Sequence, residues 1–171
     1  GNGYPISALV GKKEIMKKSK EVFYSLTFGS DPIAMAASIS TINYLKKNKV
    51  LPKINHMGNY FLKNLKKIIT NYRLDEYIKI IGFSVKNILI INGNQLIEAD
   101  LIRNFLIQLL AKNNVLNLGY NIFSFSHNKK IIDQLLTAYE KSFYELSKQI
   151  EINNLKDKKI FNMKIKSARD L

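Results

Sequence analysis

The hydrophobic spacing changes character between Leu51 and Asn92, and that change limits the chain to folds combining helices with a small sheet. Ile54, Met57, Phe61, Leu65, Ile68 and Tyr72 recur at helical spacing, with Gly58, Leu62 and Ile69 beside them. Lys63, Lys66 and Lys67 take the opposite face, so a long amphipathic helix is predicted from Leu51. From Asp75 the pattern turns β-branched and aromatic, through Tyr77–Val85 and Ile88–Ile91. Two antiparallel strands around Val85-Lys86-Asn87, or one bent strand, fit this run, closed by the turn Asn92-Gly93-Asn94. Helical spacing returns at Glu98–Lys112 and Asn128–Ile150, on either side of a strand pair or long strand over 115–125 broken at Gly119. The succession β-β-α-β-α predicts an α+β domain with antiparallel strands and helices on one face.

Upstream, Tyr4–Val10 alternates loosely and ends at Gly11, which predicts a short buried strand. Asp31-Pro32 is a helix start: the aspartate can accept a free backbone N–H, and proline has none to leave unsatisfied. The helix it opens begins with small residues, Ala34, Ala36, Ala37, Ser38 and Ser40, which would let it lie close to another backbone. The expected organisation is therefore residues 1–50 as strand, loop and helix, residues 51–150 as a connecting helix and the α+β domain, and 151–171 as a basic surface tail. No internal repeat is visible.

At 171 residues and 46% hydrophobic content the chain can bury a real core. It has no cysteine, which excludes a disulfide scaffold, a thiolate metal site and a cysteine nucleophile. Two histidines, His56 and His127, cannot build a three-histidine zinc centre, and no metal is expected. No apolar run approaches the roughly 20 residues that span a bilayer. The net charge of +14 comes from 24 lysines and 3 arginines, and Ile, Lys and Asn together supply 67 residues. Those three have A/T-rich codons, so a biased genome accounts for the charge. The lysines are scattered in pairs, without the arginine forks or interleaved aromatics of a nucleic-acid surface, so neither a specific nucleic-acid partner nor a membrane is expected. There is no initiator methionine, and Gly1-Asn2-Gly3 is no signal peptide; the expectation is a chain that starts within a longer protein.

Two segments carry chemistry. Gly1–Gly11 opens with glycines that permit a tight turn and a close backbone approach, either as a plain loop entering a strand or as a functional turn. Ser25-Leu26-Thr27-Phe28-Gly29-Ser30-Asp31-Pro32 places a hydroxyl and backbone N–H groups in a glycine turn before a helix. That turn is either an N-capping loop or a phosphate cradle, since helix dipole and unpaired donors both favour an anion.

Together these segments resemble the class III (fold-type I) pyridoxal-phosphate aminotransferases, with the closest likeness to the glutamate-1-semialdehyde aminomutase-like branch. Gly1–Met16 follows the family pattern Gly-(Asn/Gly)-Gly-x-Pro-x-(Ser/Gly)-Ala-x-x-Gly-(Lys/Arg)-x-Glu-Ile-Met. Thr27–Ala37 follows Thr-Phe-x-Gly-(Asn/Asp)-Pro and its small-residue helix, with Gly29-Ser30 where Gly-Gly or Ser-Gly is usual. Asn114–Tyr120 and Phe123–His127 are similar to the branch's last strands. The resemblance covers about residues 1–150.

It implies an α/β fold with an α+β C-terminal domain: the end of the fold-type I large cofactor domain, followed by the small C-terminal domain. It also implies a cytoplasmic homodimer that uses pyridoxal 5'-phosphate on a small amino substrate, by transfer or 1,2-shift of an amino group through a Schiff base. The family's lysine would stand before Gly1 with two residues between them, so no catalytic residue is expected within this chain and the fragment alone should be inactive. Thr27 would reach the cofactor phosphate of the neighbouring subunit, aided by the backbone N–H groups of Thr27 and Phe28. No arginine matches the family's substrate-carboxylate position; Arg73 and Arg103 read as surface residues and His127 as structural. The alternatives are a class III transaminase of an amino sugar or ω-amino substrate, and a non-enzymatic basic α+β binding module.

Overall fold

Asp31 and Pro32 begin the first long helix as their chemistry requires. The Asp31 carboxylate accepts from the Ile33 N–H at 3.0 Å, and Pro32 takes the first helical position. The computed structural model describes residues 2–23, 27, 29–117, 119–152 and 155, and the chain divides into two compact units, Gly1–Leu51 and Pro52–Leu171. The first unit holds α1 (Lys13–Met16), a 3-10 turn (Lys17–Glu21), α2 (Pro32–Lys47) and the first residues of α3 (Val50–Asn71).

The strand expected at Tyr4–Val10 does not form. Residues 5–12 have no regular structure, and residues 2–15 are all exposed. Alternation supplies strand propensity, but a strand exists only through ladder bonds to a neighbour, and no strand is described in this unit. Among the unit's described apolar residues, Ala34 and Val50 alone are buried, so most of the small-residue face of α2 stays open or half-open.

The second unit carries the remainder of α3, then β1 (Ile78–Phe83), β2 (Lys86–Ile91), α4 (Ala99–Lys112), β3 (Tyr120–Ile122) and α5 (Lys129–Glu151). The strands form one antiparallel sheet in the order β1-β2-β3. Ile78 pairs with Ile91 and Phe83 with Lys86, so Ser84-Val85 makes a two-residue hairpin turn, just ahead of the expected centre at Lys86. β3 is shorter than the spacing suggested. Gly119 has φ of 96°, which turns the chain away from β2, although its carbonyl still accepts from the Leu89 N–H at 2.9 Å. The tail expected over 151–171 lies largely outside the described residues; within it, Leu155 is buried against the core.

One face of the sheet is covered by helices. Along β2, Asn87, Leu89 and Ile91 point inward while Lys86, Ile88 and Ile90 face out. The core joins Phe61 and Leu65 of α3, Ile102 and Phe105 of α4, and Ile132, Tyr139 and Phe143 of α5. The Phe61 ring lies 5.0 Å from Phe123 and 5.7 Å from Tyr139, in tilted and edge-on arrangements that aromatic quadrupoles favour. Helix α3 meets the hairpin backbone at Gly58, where a Cβ would overlap the Ser84 carbonyl oxygen. The Ser84 hydroxyl donates to Asn55 Oδ1 at 2.5 Å beside this contact.

Polar groups also cross the core. Tyr139 donates to Asn121 Oδ1 at 2.9 Å and accepts from Asn117 Nδ2 at 2.8 Å. Asn121 Nδ2 in turn donates to Asn87 Oδ1 at 3.0 Å. These amides tie β2 and β3 to α5, and Asn87 Nδ2 is left buried without a partner among the described residues. Nearer the surface, the Tyr60 hydroxyl and Lys129 Nζ donate to the two oxygens of Asp133 at 2.7 and 2.6 Å, joining α3 to α5. The hydrogen bond from Lys129, then that from Tyr60, holds the Asp133 carboxyl below its ordinary value.

Candidate functional site

In the first unit, the loop before α2 and the segment after Gly3 enclose a hollow of about 540 Å³. Thr27 lines it with Ser7, Ser30, Asp31 and Ala34. The Thr27 side chain is exposed, and no hydrogen bond to a described residue engages its hydroxyl. Phe28, the other residue expected at the cofactor, lies outside the described residues, as do Ser25 and Leu26.

The start of α2 supplies the electrostatics. Helix N-termini carry partial positive charge and unsatisfied N–H groups. Here Pro32 has no N–H, Asp31 Oδ1 takes that of Ile33, and the Asp31 carbonyl takes that of Met35 at 3.1 Å. The Ala34 N–H is the first-turn donor not bonded to a described residue, and Ala34 borders the hollow. An anion in the hollow could therefore meet one helix N–H, the Thr27 hydroxyl and the hydroxyls of Ser7 and Ser30. The Asp31 carboxylate borders the same space and opposes an anion. Ser7 and Ala34 were not singled out from sequence as anion contacts: the first lies in a segment read as strand, and an alanine gives no chemical signal.

Ser30 holds φ at 66°, a left-handed conformation that glycine adopts freely and serine does not. It stands where the resemblance puts glycine, so the backbone keeps the glycine shape without the glycine. That strain sits in the loop that carries the candidate site.

The remaining candidates fall elsewhere. His56 is exposed on α3. His127 is half-buried ahead of α5, and its Nδ1 accepts from the Ser124 N–H at 2.8 Å, which matches the structural role expected of it. Arg73 is exposed after α3, and Arg103 is ion-paired with Asp100 one turn away on α4. Among the described residues no group of three metal-ligating side chains comes together, and no helix is long and apolar enough to cross a membrane.

The pattern of the class-III aminotransferases matches residues 1–85. Acetylornithine aminotransferase of Methanocaldococcus jannaschii is 28% identical over 148 residues, which is 86% of this chain and 36% of that protein. Glutamate-1-semialdehyde 2,1-aminomutase of Methanothrix thermoacetophila is 30% identical over 151 residues, 82% of this chain and 35% of that protein. In three dimensions, the FumI protein of Sphingopyxis sp. MTA144, solved in its PLP internal aldimine form, superposes with a TM-score of 0.71 at 21% identity. It covers 88% of this chain, which covers 36% of it. The fold is therefore shared with a PLP-bound protein, as expected of a fold-type I fragment, and the chain spans about a third of the length of the relatives it matches.

Proposed function

We propose, from the premise that residues 1–85 belong to the class-III aminotransferase family, that this chain is the C-terminal part of an enzyme that transfers or shifts an amino group with pyridoxal 5'-phosphate. The observation that carries the reading is Thr27, whose unengaged hydroxyl stands in the hollow at the start of α2. The cofactor, when bound, supplies the electron sink; the described residues fit a contribution to its phosphate and no other part of it. Thr27 donates a hydrogen bond to a phosphate oxygen, and the Ala34 N–H and the positive end of α2 favour the same charge. The backbone N–H of Phe28 is a further donor in this proposal. The phosphate belongs to the neighbouring subunit of a cytoplasmic homodimer, and the lysine that binds the cofactor precedes Gly1 in the family's order. Similarity to an aminotransferase supports transfer, and similarity to an aminomutase supports a shift within one substrate.

The test is Thr27→Val in the full-length dimer, which keeps the shape and removes the donor. A hydrogen bond to a charged group contributes about 1.5–3 kcal/mol, so cofactor affinity should fall by roughly one to two decades in an absorbance titration. The fold should survive, because the Asp31 cap is untouched. Equal affinities in the two proteins would withdraw the assignment.

A further inference from the structure

The second unit contains a groove that the proposed cofactor site does not use. It lies between the end of β2 and helix α4 and has a volume of about 280 Å³, just below the roughly 300–1,000 Å³ of small-molecule sites. Arg103, Leu106, Ile107 and Leu110 recur at helical spacing and form its helix wall. Asn117 and Tyr120 close the end where β3 departs.

The sheet wall has an open edge. Backbone groups of successive strand residues point to alternate sides. The Asn92 N–H turns to Tyr77 just ahead of β1, and the Leu89 N–H turns to Gly119 on the opposite side. Ile91 shares the direction of Leu89, but β3 pairs only as far as Ile88 and the chain has left after Gly119. No described residue beyond Gly119 bonds to the Ile91 main chain on that side. The groove thus offers a backbone donor, a wall of aliphatic side chains and one guanidinium. Arg103 gives one bond to Asp100 and keeps further donors, with its side chain 46% exposed.

We propose that this groove binds a short aliphatic monocarboxylate, its chain against Leu106, Ile107 and Leu110 and its carboxylate on Arg103 near the Ile91 N–H. Charge complementarity selects the anion, since among the described residues Arg103 is the one cationic side chain lining the groove. The volume selects a short chain. The binding is independent of the cofactor reading, because every residue involved lies in the second unit.

The experiment titrates hexanoate into the full chain by calorimetry, with hexan-1-ol as the uncharged control. The expected dissociation constant for hexanoate is on the order of 1 mM, with hexan-1-ol at least about tenfold weaker. Arg103→Gln should weaken hexanoate by about tenfold and leave hexan-1-ol unchanged, and Arg103→Lys should recover part of the loss. Arg103 is exposed, so these variants should fold, and circular dichroism checks it. No heat from hexanoate at about ten times that constant, equal affinity for the two probes, or indifference to Arg103→Gln would each overturn the proposal.

Discussion

Tyr139 shows how much a single residue can carry in this core. Burial pushes its phenol well above the ordinary value, outweighing the hydrogen bonds to Asn121 and Asn117. In the unfolded chain the same group loses its proton near pH 10, whereas the folded chain retains it. The unfolded state therefore binds fewer protons above pH 10, and stability must fall as pH rises beyond that point. Tyr139→Phe should remove this part of the alkaline decline. At neutral pH it should cost about 1–2 kcal/mol, because two buried amides each lose one partner. Urea unfolding of both proteins at pH 7 and above pH 10 measures both effects. Helical spacing over Asn128–Ile150 marked in advance the helix on which Tyr139 and Phe143 face the core. Nothing of that kind marked Asn87, Asn117 and Asn121. In a chain so rich in asparagine the buried amides look like the exposed ones, and they can be told apart only once the strands pair. The helix start that follows Thr27 was legible for a different reason, since a glycine turn before Asp-Pro is local chemistry.

At the scale of elements, long periodic segments were readable and their partners were not. The stripe from Ile54 to Tyr72 became α3, and Asp31-Pro32 became the cap and first residue of α2, because each depends on neighbours in sequence. Tyr4–Val10 failed as a strand because pairing depends on residues far away in the chain. The run Ile88–Ile91 looks continuously apolar, yet β2 buries alternate residues, since helices cover only one side of the sheet. The contact between α3 and the hairpin was hidden altogether, as an isolated glycine on a helix has many possible causes. Its meaning is now specific. Gly58→Ala would drive a methyl group into the Ser84 carbonyl, so helix and turn must separate. Overpacking against backbone should cost about 2–3 kcal/mol, read as a lowered urea midpoint with an unchanged slope. An unaltered midpoint would mean that the hairpin turn yields freely.

Over the whole molecule, apolar burial is unevenly distributed. Almost all of the described core belongs to the second unit, while in the first Leu9, Val10 and Phe23 are 81%, 84% and 93% exposed. Apolar surface of that kind seeks a partner, and the isolated chain should self-associate with rising concentration in sedimentation experiments. A monodisperse monomer throughout would contradict this expectation. The same imbalance bears on motion. Backbone amides over a packed core open to solvent only on global unfolding, whereas those of a thinly buried segment open through local fluctuation. The hollow that holds Thr27 is built from such a segment, and its loop keeps Ser30 in a backbone conformation that serine disfavours. For the phosphate contact proposed above, this predicts a loop that holds the receptive shape for only part of the time. The apparent affinity is the intrinsic affinity scaled by that occupancy, so anything that steadies the first unit tightens binding without touching the ligand.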